Sequence, residues 1–213
     1  DLWRRLVSLR EQRFQSWELI LVDGSGREGS DPALVEYCSL IPQPTSIMRC
    51  RLKSEFAGYK NAVNVARGSM LAFLRPNETW HEDFLGKLTL ALEDRGEIDW
   101  ISAATHKEYA EATARLSSCT KFGNITYISD ATDAAASALD GHMDSYLGHS
   151  IFRTRAFRNA LFVPISTCRA SERALLISCM VSGAKGCILA MESVGQRAIC
   201  NRNVEAELVV WEC

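Results

Sequence analysis

Apolar and polar positions come in blocks along this chain, and the blocks predict helices and strands in turn. Leu2, Leu6 and Leu9, with Val7 beside them, recur at helical spacing and give a first helix with one apolar stripe. The run WELILVD, Trp17 to Asp23, is short and apolar throughout, the pattern of a buried strand. GSGREGS then turns, and Asp31-Pro32 supplies an N-cap and a first-position proline for a second helix. TSIMRCR reads as a second strand, GYKNAVNVARG as a helix closed by glycine, and SMLAFL as a third strand. Phe84, Leu85, Leu88 and Leu92 form the stripe of a helix reaching from His81 to Leu92, and IDWISA is a fourth strand.

From Ala103 to Leu147 the periodicity fades into a variable insertion that includes the alanine-rich SDATDAAASALDG. Order returns at LGHSIFRTRAF, followed by a helix SERALLISCMVSG, capped by Ser171 and stopped by Gly183, and a strand GCILAM. Repeated β-α-β units predict an α/β fold, a mostly parallel central sheet with helices on both faces, in one domain over residues 1–213. In such sheets ligands bind at the carboxyl ends of the strands. That directs attention to LAFLRPNETW, where the third strand runs into Arg75, Pro76, Asn77 and Glu78.

Composition narrows the partners. With 47% hydrophobic residues, a formal charge of -2 and a pI near 6.1, the chain carries no bulk charge that would hold nucleic acid. A small molecule or a protein is the expected partner. Its eight cysteines include no CxxC pair, and several sit in apolar runs such as LLISCMVSG, so they read as reduced core thiols of a cytoplasmic protein. No apolar run approaches the roughly 20 residues that span a bilayer, which leaves only peripheral association with a membrane surface. The chain starts at Asp1 without methionine and is expected to be a piece of something longer.

The order of the pieces resembles a known family. SLREQRFQSWELILVDGSGREGS looks like the segment SLLxQTYxNWELIIVDDGSTDGS of the family-two glycosyltransferases of GT-A fold, which use nucleotide-activated sugars. GYKNAVNVARGSMLAFLRPNETWHEDFL is similar to that family's ARNxGLxxARGEYIAFLDxDDxWxPxxL, GHSIFRTRAF to its gsslfRRsaf, and RASERALLISCMVSGAKGCIL to its xxEDxDLxLRLxxxGYRIxYV. The likeness covers most of the chain except the middle insertion and the tail. Family members also begin with an apolar strand of the form VSVIIPTYN, whose loop walls the nucleotide pocket, and here Asp1 already lies in the helix after it.

What the resemblance implies for the site is uneven. Asp23 matches the family's aspartate that reads the base through an N–H, although an Asx turn before Gly24 explains it equally well. Lys60 stands near the family's ARN asparagine, where it approaches phosphate or is simply a solvated helix lysine. The family's DxD holds Mg²⁺ or Mn²⁺ against the leaving diphosphate. Here Arg75 replaces its first aspartate, Asn77 the second, and Glu78 follows. Either Asn77 and Glu78 hold a weakly bound metal, or Arg75 grips the diphosphate and no metal is needed, or the loop is only a loop. Glu172 keeps one carboxylate where the family's catalytic base belongs, and a first-turn Glu is also favoured by the helix dipole. His149 and Arg153 flank SIF and are assigned to the acceptor side or to a rim.

The implied activity is transfer of a sugar, with inversion, from a nucleotide-diphosphate sugar to a glycan, lipid-linked or protein acceptor. The alternative is a glycosyltransferase-like domain without catalysis, kept for binding or for assembly of a larger enzyme. A methyltransferase or nucleotidyltransferase fits less well, because Gly24 and Gly26 follow Asp23 directly instead of preceding the acidic residue.

Overall fold

The computed structural model describes residues 2–23, 32–49, 55–74, 78–105, 119–122, 125–128, 146–159, 186–191 and 207–212. The first half follows the expected alternation: helix α1 (Leu2–Arg10), strand β1 (Trp17–Asp23), α2 (Pro32–Ser39), β2 (Thr45–Arg49), α3 (Glu55–Val65), β3 (Met70–Leu74), α4 (Phe84–Glu93) and β4 (Trp100–Thr105). Helix α4 starts at Phe84, the first residue of its stripe, and not at His81 as expected. Gln12 explains the delay: its amide donates to His81 O at 2.7 Å while its oxygen accepts from the Leu85 amide at 3.0 Å, fixing the first turn.

Two short strands, β5 (Cys119–Phe122) and β6 (Ile125–Ile128), arise inside the stretch expected as an insertion and pair with each other. A 3-10 turn (Tyr146–His149) then leads into β7 (Ser150–Arg153), α5 (Thr154–Asn159) and β8 (Gly186–Met191), and the tail supplies β9 (Glu207–Glu212). The helix expected at Ser171 to Gly183, Glu172 included, lies outside the described residues.

All these strands join one sheet in the order β2-β1-β9-β3-β7-β4-β8-β6-β5. The strands of the expected β-α-β units, β1, β2, β3, β4 and β8, run in one direction. Most neighbouring pairs are nevertheless antiparallel, because β9, β7 and β6 run the other way between or beside them. The tail strand was not foreseen. ELVVWE is a short apolar run at the end of the chain, and its local pattern carries no information on which strands it joins.

Helices cover both faces. On one, Leu6 and Leu9 of α1, Leu34 and Cys38 of α2, and Phe84, Leu88 and Leu92 of α4 pack on Trp17, Leu19, Leu21, Ala72, Ile101 and Cys187. On the other, Phe73 meets Tyr59 edge to face at 5.2 Å and Phe157 at 5.1 Å, and Phe157 in turn meets Phe152 at 4.8 Å. Leu19, Leu21, Val22, Leu71, Phe73, Ile101 and Ile188 are buried on strands as expected, while Ile47 is half-buried because β2 is an edge. Cys38 and Cys187 are free, buried thiols, and burial pushes the Cys187 thiol up to about 12. Among the described residues no helix is long and apolar enough to cross a membrane.

The amino edge of the sheet is fastened by polar groups bonded within the chain. Glu18 on β1 accepts from the Arg67 amide at 2.9 Å and from its guanidinium at 2.6 Å, and Thr154 Oγ1 donates to Gly68 O at 2.7 Å. Replacing Phe73, the centre of the aromatic cluster, with alanine should cost about 3–5 kcal/mol of unfolding free energy in a urea titration. A loss under about 1 kcal/mol would show that this face is not a packed core.

Candidate functional site at the carboxyl edge

Strand register decides which residues share an edge. Leu21 and Leu74 both pair with Leu208 on β9, so β1 and β3 end side by side with one strand between them. Asp23, the last residue of β1, therefore stands at the same edge as the end of β3, and it is 6% exposed. Arg49, the last residue of β2, pairs in register with Asp23 and is exposed. β7 runs antiparallel to β3 with Ala72 opposite Ile151, which brings His149, half-buried, to this edge as well.

The loop after β3 is tied to the turn before β7. Glu78 is buried at 2% exposure, and its carboxylate occupies the space that a Cβ on Gly148 would need. Only glycine leaves room for it. Trp80 donates from Nε1 to Gly148 O at 2.7 Å and stacks on Phe84 with ring centroids 4.7 Å apart. A buried carboxylate is thus held between two segments distant in sequence.

The sequence-predicted residues separate accordingly. Asp23, Glu78 and His149 come to the carboxyl edge. Lys60 lies midway along α3 and is exposed. Arg153 sits at the opposite edge, opposite Met70, and its guanidinium donates to Leu92 O at 2.7 Å and Ile98 O at 2.9 Å. It closes the carbonyl end of α4 rather than facing an acceptor at the Asp23 edge. Arg75, Asn77 and Glu172 lie outside the described residues. Arg49 was not singled out from the sequence. The only signal was its position at the end of a predicted strand, and its partnership with Asp23 requires knowing which strands pair.

Among the described residues no group of three or more His, Cys, Asp or Glu could hold a metal ion, and the Glu78 carboxylate is turned onto Gly148.

The fold is α/β of GT-A type, one open sheet covered by helices on both faces. Among solved structures the chain is similar in fold to S. aureus TarS. It matches the TarS 1-349 crystal structure with a TM-score of 0.64 at 12% identity, covering 90% of this chain and 55% of that one. A second TarS structure gives a TM-score of 0.62 at 10% identity, covering 92% of this chain and 34% of the other. The chain thus spans about half or less of the length of these neighbours. No protein-family model and no curated protein matches it.

Gly148→Ala should destabilise the protein by about 1–3 kcal/mol by forcing Glu78 from its place. The double variant Gly148→Ala, Glu78→Ala should lose less than the sum of the single losses. Strict additivity in denaturant unfolding would show that the two positions do not share this space.

Proposed function

We propose that the chain is the donor-binding core of a glycosyltransferase. It binds a nucleotide-diphosphate sugar across the carboxyl edge of its sheet and transfers the sugar to a hydroxyl of a glycan, lipid-linked or protein acceptor. One observation carries the reading: the register brings the ends of β1 and β3, which the resemblance marks as base-reading and diphosphate-holding, to the same edge, with Asp23 at the end of β1 beside β2. The fold likeness to TarS supports it.

In this reading Asp23 accepts the base N–H. The bond from the anomeric carbon to the diphosphate oxygen breaks, and its electron pair leaves on that oxygen. The acceptor oxygen bonds to the same carbon from the opposite side, inverting it, and Glu172 takes the proton that the hydroxyl releases. Negative charge therefore grows on the diphosphate, where the loop after β3 offers Arg75. Burial of Glu78 under Gly148 favours Arg75 over a metal held by Asn77 and Glu78 as the partner of that charge. A bound Mg²⁺ or Mn²⁺ would supply the same charge neutralisation if Asn77 contributed to it.

The same burial favours a second reading, in which the domain binds a sugar nucleotide or assembles a larger enzyme without turning over. Nucleoside diphosphates at millimolar concentration should raise the melting temperature, and the shift should survive EDTA, since a ligand that binds only the folded state stabilises it by mass action. Arg75→Ala should weaken binding by about 1.5–3 kcal/mol, the worth of a hydrogen bond to a charged group. Loss of binding in EDTA, with Arg75→Asp tighter in Mn²⁺, would instead assign the charge to a metal. Stable binding with no release of nucleoside diphosphate from any donor would favour the second reading.

A further inference from the structure

β2 is bonded to the sheet on one side only and is the outermost described strand there. Leu19 N donates to Pro44 O at 2.8 Å, and bonds in a parallel ladder alternate, so Ser46 and Met48 turn their peptide groups towards β1. The N–H and C=O groups of Thr45, Ile47 and Arg49 therefore point the other way, along an edge that no other described strand covers. Edges are usually blunted by proline, a bulge or charge. Here Pro44 belongs to the series bonded to β1, and the strand's charge is confined to Arg49 at its end. Both faces of the strand are incompletely covered, with Ile47 and Met48 half-buried. On the Ile47 face, α1 lies between α2 and α4, meeting Tyr37 of α2 through Trp3 and the start of α4 through Gln12. Helical spacing puts Val35 on the flank of α2 opposite Tyr37, hence on the β2 side, and it is 48% exposed.

We propose that this edge pairs with a second copy of the chain, β2 against β2 across a two-fold axis at Ile47, so that one sheet continues through both subunits. The strand is complementary to itself in that arrangement. Antiparallel pairing about Ile47 sets Thr45 opposite Arg49 of the partner subunit and Ile47 opposite its own copy, so each outward N–H meets a C=O and each outward C=O an N–H. Arg49 then faces a threonine instead of a second arginine, which keeps like charges apart. On one face Ile47 buries against Ile47 of the partner subunit, with the Val35 flank of each α2 brought towards the axis. On the other, Met48 covers Ser46 of the partner subunit. The paired strands run in opposite directions, so the carboxyl edges of the two subunits open to opposite sides and neither covers the other. One short strand and a helix flank make an interface at the small end of the specific range, and the dimer is expected to be of micromolar affinity or weaker.

Sedimentation equilibrium of the wild type, Thr45→Glu and Thr45→Arg, from low micromolar to near-millimolar concentration, tests this. The wild type should show a monomer–dimer equilibrium. Both variants lose the same hydroxyl bond to Gln43 O, so effects of opposite sign report the charge facing Arg49 of the partner subunit. Thr45→Glu should tighten the dimer and Thr45→Arg loosen it, each by about three-fold or more, since the pair occurs twice. Amide hydrogen exchange of the wild type gives a second readout that needs no variant. Ser46 and Met48 should be protected at every concentration, but Thr45, Ile47 and Arg49 only as the dimer accumulates. A monomer throughout, a dimer that the two variants leave unchanged or shift alike, or protection of Ile47 and Arg49 that does not depend on concentration would overturn the proposal.

Discussion

A strand in the middle of a sheet must satisfy hydrogen-bonding groups on both of its edges, and in this fold that demand falls on β9. Val210 pairs with Leu19 on one side and Ala72 on the other, and the ladders continue along β1 and β3. Without this strand the sheet would divide into the pair β2-β1 and the group from β3 to β5, with bare edges facing each other. The carboxyl edge depends on the same strand. Two strand spacings, roughly 10 Å, set the separation between the ends of β1 and β3, which is the scale of a base joined to its diphosphate.

Around that constraint the two edges of the sheet differ in what their polar residues do. At the amino edge, Glu18, Arg67, Arg153 and Thr154 bond to one another or to backbone carbonyls and close the ends of α4 and the turn into β3. At the carboxyl edge, Asp23 and Arg49 end their strands side by side, and Glu78 fills the space beside Gly148. Trp80 stacks on Phe84 and is bonded to the turn that carries His149.

Much of the architecture was legible because it is local. The apolar run at Trp17 to Asp23, the Asp31-Pro32 start and the stripe of Phe84, Leu85, Leu88 and Leu92 each report their element through periodicity and end signals. What was not legible is pairing. CTKF, ITYI and ELVVWE are runs too short to declare themselves, and their places follow from which edges remained open. The same limit governs the site. Asp23 could be placed by motif, but Arg49 acquires its partner only through the β1–β2 register, and Arg153, expected on the acceptor side or at a rim, is placed opposite Met70 only by β7 running antiparallel to β3. Glu78 looked like a metal ligand in a polar loop. Its burial depends on Gly148, distant in sequence, and no local pattern encodes that approach.

The central claim is that the carboxyl edge of β1, β2 and β3 is where the donor binds, and backbone amide NMR tests it most directly. On titration with the best-binding nucleoside diphosphate, the amides of Val22, Asp23, Arg49, Leu74, Glu78 and His149 should shift, while those of Arg67, Asp99, Arg153 and Arg155 at the other edge should stay in place. Shifts gathered around Arg153 and Asp99, with the Asp23 edge silent, would contradict the account.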